Sequence, residues 1–212
     1  MASIGSRHSR SAPPFVLRRW YLSDGGHFEN TACYELLRRR VPFIIACDDG
    51  QDASYTFEDL GNLVRKARLD FHADIRILSR SEIETRVHPS LHTVVGVLND
   101  FSTKLDSDPA TGLEQRFCGA HALLADVFYE GEKTPGSVIL FLKPSLMGDE
   151  TFDVLQYRQQ HAEFPQEPTG DQYFDEAQWE SYRALGEHVS AKVFRACRDG
   201  DGWSPSSMVK PA

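Results

Sequence analysis

Asp24 is followed at once by Gly25 and Gly26. An acid in such a turn is either a strand-end turn residue or a group placed for chemistry. Glycines beside it let backbone or substrate come close, because they carry no Cβ and can take φ > 0. A second acidic turn, Asp48-Asp49-Gly50, closes the apolar run Val41 to Cys47. Two acids after a buried strand can hold Mg²⁺ for phosphoryl transfer. No phosphate-binding loop accompanies them, so turn residues and helix-dipole partners are the favoured reading. His88 and His92 are four apart, but Pro89 between them works against a helical metal pair. His27 follows the double glycine and is expected to face solvent at a helix start. Cys33, Cys47, Cys118 and Cys197 are widely spaced with no Cys-x-x-Cys pair, which indicates neither a zinc knuckle nor a disulfide framework. Cys33 and Cys47 sit in apolar patterns and are expected to be small core residues.

These groups need elements to position them. Phe15 to Leu22 reads as a strand leading into Asp24. An acid at the carboxyl end of a strand is where open α/β sheets place their chemistry. Asn30 is the expected N-cap of a helix over 31–40, with Cys33, Leu36 and Leu37 on its apolar face. Arg38, Arg39 and Arg40 fall in its last turn, where they suit the helix dipole better than an anion site. The run 41–47 reads as a buried parallel strand. Thr56 is expected to cap a helix over 57–71, and 75–78 reads as the next strand. Strand–helix–strand–helix–strand implies a mainly parallel sheet with right-handed crossovers.

Residues 79–92 give no decisive pattern. Thr93 to Leu98 reads as a strand and Asn99 to Cys118 as a loop. Ala120 to Tyr129 and Ser137 to Lys143 flank a turn-rich stretch and read as a β-hairpin. A short helix is expected near 154–159. Asp171 is the expected cap of a long last helix over 172–198, with Gly200 beyond its end. Residues 1–14 and 199–212 read as disordered tails, leaving 15–198 as one folded unit.

The composition is that of an ordinary globular chain: 212 residues, 41% hydrophobic and 25% charged. No apolar run approaches the ~20 residues that span a bilayer. A formal net charge of −8 argues against nucleic-acid binding. Residues 1–14 lack the apolar core of a signal peptide, and the spacing of the cysteines fits a reducing cytoplasm. Their basic residues, with Arg18 and Arg19, read as solvated. Peripheral contact with anionic lipid is the alternative.

The run Ser23-Asp24-Gly25-Gly26-His27-Phe28-Glu29-Asn30, followed by Tyr34-Glu35-Leu36-Leu37-Arg38-Arg39-Arg40, resembles a known segment. It is similar to the Asp-Gly-Gly segment of patatin-like and cytosolic phospholipase-type lipid acyl hydrolases. Leu142-Lys143-Pro144-Ser145-Leu146 and the run from Asp171 to Gly186 extend the resemblance in order. It implies part of a three-layer α/β fold, with the hairpin and the long last helix appended. It also implies ester hydrolysis through an acyl-enzyme, with a phospholipid or other acyl glycerolipid as substrate and no metal or cofactor. Residue by residue, Asp24 corresponds to the base of a Ser-Asp dyad, and Gly25 and Gly26 to the turn that positions it. The Gly-x-Ser-x-Gly elbow and the glycine-rich oxyanion loop of that family do not occur in this sequence. Ser6, Ser23 and Ser137 lack the elbow context. The chain is therefore expected to be a carboxy-terminal piece or truncated relative, inactive alone. The alternative is a non-catalytic interaction module left by truncation.

Overall fold

The computed structural model describes residues 22–107, 114–195, 197–199 and 202–210. The expected strand over 15–22 falls outside them except for Leu22, which is not in a strand. Strands β1 (Phe43–Cys47), β2 (Asp74–Ile77), β3 (Val95–Gly96), β6 (Ala122–Phe128) and β7 (Ser137–Leu142) form the main sheet, in the order β1-β7-β6-β2. β3 lies end to end with β2 along the same flank of β6: Val95 and Gly96 pair with Ala122 and Leu123, whereas 74–77 pair with 125–128. The loop expected over 99–118 instead contains a small hairpin, β4 (Lys104–Ser107) on β5 (Glu114–Phe117).

The chain is α/β, but the sheet is mixed, not mainly parallel. β1 runs parallel to β7 and β3 parallel to β6, while β6 is antiparallel to both β7 and β2. β1 and β2, joined by the helix α2 (Glu58–Phe71), do point the same way, as a strand–helix–strand unit should. The β6–β7 hairpin is inserted between them. Continuous apolar runs report burial on both faces, and helices covering both faces bury an antiparallel strand equally well.

Those faces are two apolar clusters. Ile44, Ala46, Leu123, Ala125, Val127, Ile139 and Phe141 pack against α2 and α1 (Cys33–Arg38). Ala122, Leu124 and Leu140 face α3 (Arg80–Arg86), α4 (Phe152–Gln160) and α5 (Glu176–Ser190). Alternate residues of β6 and β7 thus enter opposite cores, the period-two rule of a strand covered on both sides. Asp126 of β6 points toward the α3 face, where the Arg86 guanidinium donates to both its oxygens at 2.7 and 3.0 Å.

Local chemistry explains where helices start. Ser79 and Glu82 form a capping box that starts α3, and the stretch 79–92 divides into that helix and a 3₁₀ turn, Pro89–Leu91. The Asp52 carboxylate, rather than Thr56, accepts from the Thr56 and Phe57 N–H groups at 2.8 and 2.7 Å ahead of α2. Glu29, not Asn30, serves α1: it is buried and accepts from the Thr31 and Tyr34 N–H groups at 2.7 and 3.2 Å. Asp175, not Asp171, caps α5 by accepting from Gln178 N–H at 2.8 Å. α5 ends at Ser190 and passes into a π-helical turn, Ala191–Arg195.

The expected carboxy-terminal tail is folded where it is described. After β8 (Arg198–Asp199) and β9 (Gly202–Trp203) comes α6 (Pro205–Met208). Met208 and Val209 join the core beside α5, and Val209 bridges Val87. Cys33 is buried as expected, but Cys47 is exposed at the end of β1. Among the described residues no helix is long and apolar enough to cross a membrane.

Candidate active site

The carboxyl ends of β1 and β7 and the start of β6 lie at one end of the sheet, and the candidate groups gather there. Asp24 opens a single 3₁₀ turn, Gly25–His27, and its Oδ1 accepts from Gly26 N–H at 2.9 Å. The residue is exposed, and among the described residues nothing hydrogen-bonds its Oδ2. The two glycines have different reasons to be there. A Cβ on Gly26 would lie 2.9 Å from Asn30 Oδ1, whereas one on Gly25 would meet nothing within 4 Å. Neither takes the positive φ that the doublet suggested. What a side chain at 26 would meet is the Asn30 amide, not a left-handed backbone.

Asn30 joins this turn to the second acidic turn. Its Nδ2 donates to Asp59 Oδ2 at 3.0 Å, and both side chains close the space that a Cβ on Gly50 would need, at 3.4 and 3.1 Å. Asn62 Nδ2 donates to the Phe28 carbonyl, and the Lys66 ammonium sits 3.7 Å from the centre of the Phe28 ring. The Asp24 turn therefore rests on the α2 side of the sheet.

Asp48 and Asp49 do not act as a pair. Asp48 is buried, accepting from Lys143 Nζ at 2.9 Å and from Gly50 N–H at 3.1 Å. Lys143, also buried, donates as well to the Gly50 carbonyl at 2.7 Å. Burial raises the Asp48 carboxyl above the usual range, against the opposing pull of Lys143. The ammonium thus takes the place that a divalent ion would need. Asp49 is exposed and turns instead to an apolar cavity of about 320 Å³ between β1, β7 and α5. Cys47, Leu142, Tyr182, Leu185 and Phe194 contribute to its wall. A mostly apolar hollow with a few polar groups at its edge is the usual form of a small-molecule site.

Of the serines weighed above, Ser137 is buried and bonded to the Tyr129 hydroxyl, and Ser6 lies outside the described residues. Ser23 is exposed and shares a 2.8 Å hydrogen bond with His27 Nδ1 in the Asp24 turn. His88 and His92 do not meet: His88 accepts from Ser90 N–H, and His92 Nε2 contacts the Val87 carbonyl. Arg38 and Arg39 pair with Glu35, and Arg40 with Glu132.

A further group has no sequence signature. His121, Asp149, Glu150 and His188 bring one donor atom each to within 4.8 Å of one another. They come from the start of β6, from the loop after β7 and from α5. Their separation along the chain matches no metal-binding spacing, so only the fold reveals them. Burial holds His121 down to about 3, helped by the nearby Lys192 ammonium. Glu150 is raised by burial, despite accepting backbone N–H bonds from Met147 and Gly148. For Asp149 burial acts upward, but its bonds to Lys192 and His188 outweigh that and lower it. Comparison with protein-family models, with curated proteins and with solved structures finds no match for this chain.

Proposed function

We propose that this chain carries the general-base half of a serine-dependent hydrolase of phospholipid or other acyl glycerolipid esters. The observation that carries the reading is the Asp24 carboxylate. One oxygen is fixed by Gly26 N–H, the other lacks a partner among the described residues, and the turn is exposed at the end of the sheet that also holds the apolar cavity. A base must be held in place yet have an oxygen free to take a proton. The longer residue pattern around Asp24-Gly25-Gly26 supplies the substrate class.

In this reading a serine Oγ from a Gly-x-Ser-x-Gly elbow, outside this sequence, attacks the ester carbonyl carbon as Asp24 takes its proton. Collapse of the tetrahedral adduct breaks the ester C–O bond, and Asp24 returns the proton to the departing alcohol. Water then attacks the acyl-serine, giving its proton to Asp24, and the serine Oγ recovers that proton as the fatty acid leaves. Lys143 and Asp48 hold the neighbouring turn and stay out of the proton path.

The test has two parts. Residues 1–212 alone should show no turnover of a short-chain chromogenic ester above buffer. A protein joining them to an elbow-bearing segment should hydrolyse phospholipid, and Asp24→Asn should lower kcat ~10²–10⁴-fold with nearly constant KM. Near-parental hydrolysis by a folded Asp24→Asn variant would overturn the assignment. So would turnover by residues 1–212 that Ser23→Ala abolishes, since the Ser23–His27 contact would then be the working pair.

A further inference from the structure

We propose that His121, Asp149, Glu150 and His188 form a binding site for a divalent transition ion of the Zn²⁺ type, pinning α5 to the loop after β7. The inference is independent of the hydrolase reading.

The central observation is His121 Nε2, a fully buried ring nitrogen with no hydrogen-bond partner among the described residues. Its tautomer follows from the other side of the ring. Ser145 Oγ lies 2.8 Å from the Ala120 carbonyl and 2.9 Å from His121 Nδ1. A carbonyl can only accept, so the single hydroxyl proton goes to Ala120. Ser145 Oγ then accepts from His121 Nδ1–H, and Nε2 keeps a bare lone pair. A metal-binding histidine is held in this way, with its far nitrogen donating to a fixed oxygen that sets tautomer and ring direction. Leaving such an acceptor buried and unpaired is unfavourable, and native proteins rarely tolerate it without a role.

What surrounds Nε2 suits a cation. Glu150 Oε1 is 3.9 Å away, beyond hydrogen-bond reach, while the carboxylate is anchored from behind by the Met147 and Gly148 N–H groups at 2.8 and 2.9 Å. His188 presents its ring to His121 with centroids 6.0 Å apart, and its Nε2 contacts Asp149 Oδ1 at 3.1 Å. Two imidazoles with two carboxylates match Zn²⁺ and its neighbours rather than Mg²⁺ or Ca²⁺, which favour oxygen. Tetrahedral bonds of about 2.0–2.1 Å would set the donors about 3.4 Å apart. The present spread is up to 4.8 Å. The closing motion falls to Asp149 and His188, the two side chains that keep solvent contact, at 53% and 19% exposure. His121 and Glu150 are already braced. Lys192 holds Asp149 through Oδ2, and Oδ1, which now meets His188 Nε2, would exchange that contact for the ion.

The experiment titrates metal-free residues 1–212 with Zn²⁺ by calorimetry and with Co²⁺ by visible absorption. One equivalent should bind, and Co²⁺ should give the intense bands of a four-coordinate N/O site. Asp149→Ala and His188→Ala, checked for folding by circular dichroism, should each weaken binding at least tenfold. His72→Asn, at an exposed histidine just past the end of α2, should leave it unchanged. Absence of saturable binding to the parent chain would overturn the proposal. So would unchanged binding by folded Asp149→Ala and His188→Ala chains, which would assign the signal to surface histidines.

Discussion

Replacing Lys143 by Met tests the polar anchor under the candidate site. The substitution keeps an unbranched side chain of similar length and removes the charge. Lys143 and Asp48 have side chains 1% and 3% exposed, and their contact is 2.9 Å. Without the ammonium, Asp48 keeps Gly50 N–H as its partner, and the Gly50 carbonyl loses its Nζ donor. Removing one member of a buried pair typically destabilises by about 3–5 kcal/mol. For a chain of this size each kcal/mol moves Tm by about 2–4 °C, so a fall of roughly 6–20 °C is expected. Adding Asp48→Asn should restore much of the loss, because the amide can still accept from Gly50 N–H and no charge stays buried. A double-mutant cycle should therefore give a large coupling.

The pH dependence has a definite sign. Burial already raises Asp48 in the parent, and losing Lys143 raises it further. A carboxyl whose folded value lies above its unfolded value of about 3.9 contributes most below that value. The contribution fades as pH rises through the folded value. Urea unfolding of Lys143→Met should thus approach parental stability in acid and fall furthest below it at neutral pH. A loss under about 1 kcal/mol at neutral pH, the level of an exposed pair, would refute the buried-anchor reasoning.

Gly26→Ala should lower stability by about 0.5–1 kcal/mol, since its Cβ would meet Asn30 Oδ1 at 2.9 Å and Asn30 must shift against its exposed bond to Asp59. Gly25→Ala should stay within about 0.5 kcal/mol, and thermal melts of the two variants would separate them. Ser79→Ala removes the capping box of α3 and should reduce the urea-derived stability by about 1 kcal/mol.

The sequence disclosed what is local. The apolar runs that became β1, β6 and β7 and the periodic stripe of α2 stand where their patterns put them, and the turn at 130–136 joins a hairpin. Strand direction was not legible. Alternation and burial are the same for parallel and antiparallel strands, and nothing in 120–143 announces that this hairpin enters between β1 and β2. Caps were misplaced by a few residues where a more distant acid outcompeted the nearest polar one, as Glu29 did Asn30 and Asp52 did Thr56. At the site, Asp24-Gly25-Gly26 was visible because it is contiguous. The Lys143–Asp48 pair and the cluster around His121 were not, since their members lie far apart in the chain and meet only when α5 and the two strand ends converge.

The two proposed sites share one end of the sheet but lie in different layers, and this yields a last prediction. The Asp24 turn rests on α2 through Asn30, Asn62 and Lys66. The His121 cluster joins β6 and the loop after β7 to α5, which also walls the apolar cavity through Leu185 and Val189. Metal removal should therefore loosen α5 and the cavity wall without touching Asp24, the proposed base. In an elbow-bearing parent, chelation should lower Tm and raise KM for lipid while kcat at saturation stays near its starting value. If the proposed Ser-Asp chemistry needs no ion, adding Zn²⁺ back should restore Tm and KM together. A fall in kcat that tracks metal occupancy, with Tm and KM unchanged, would place the ion in the chemical step and refute this separation of roles.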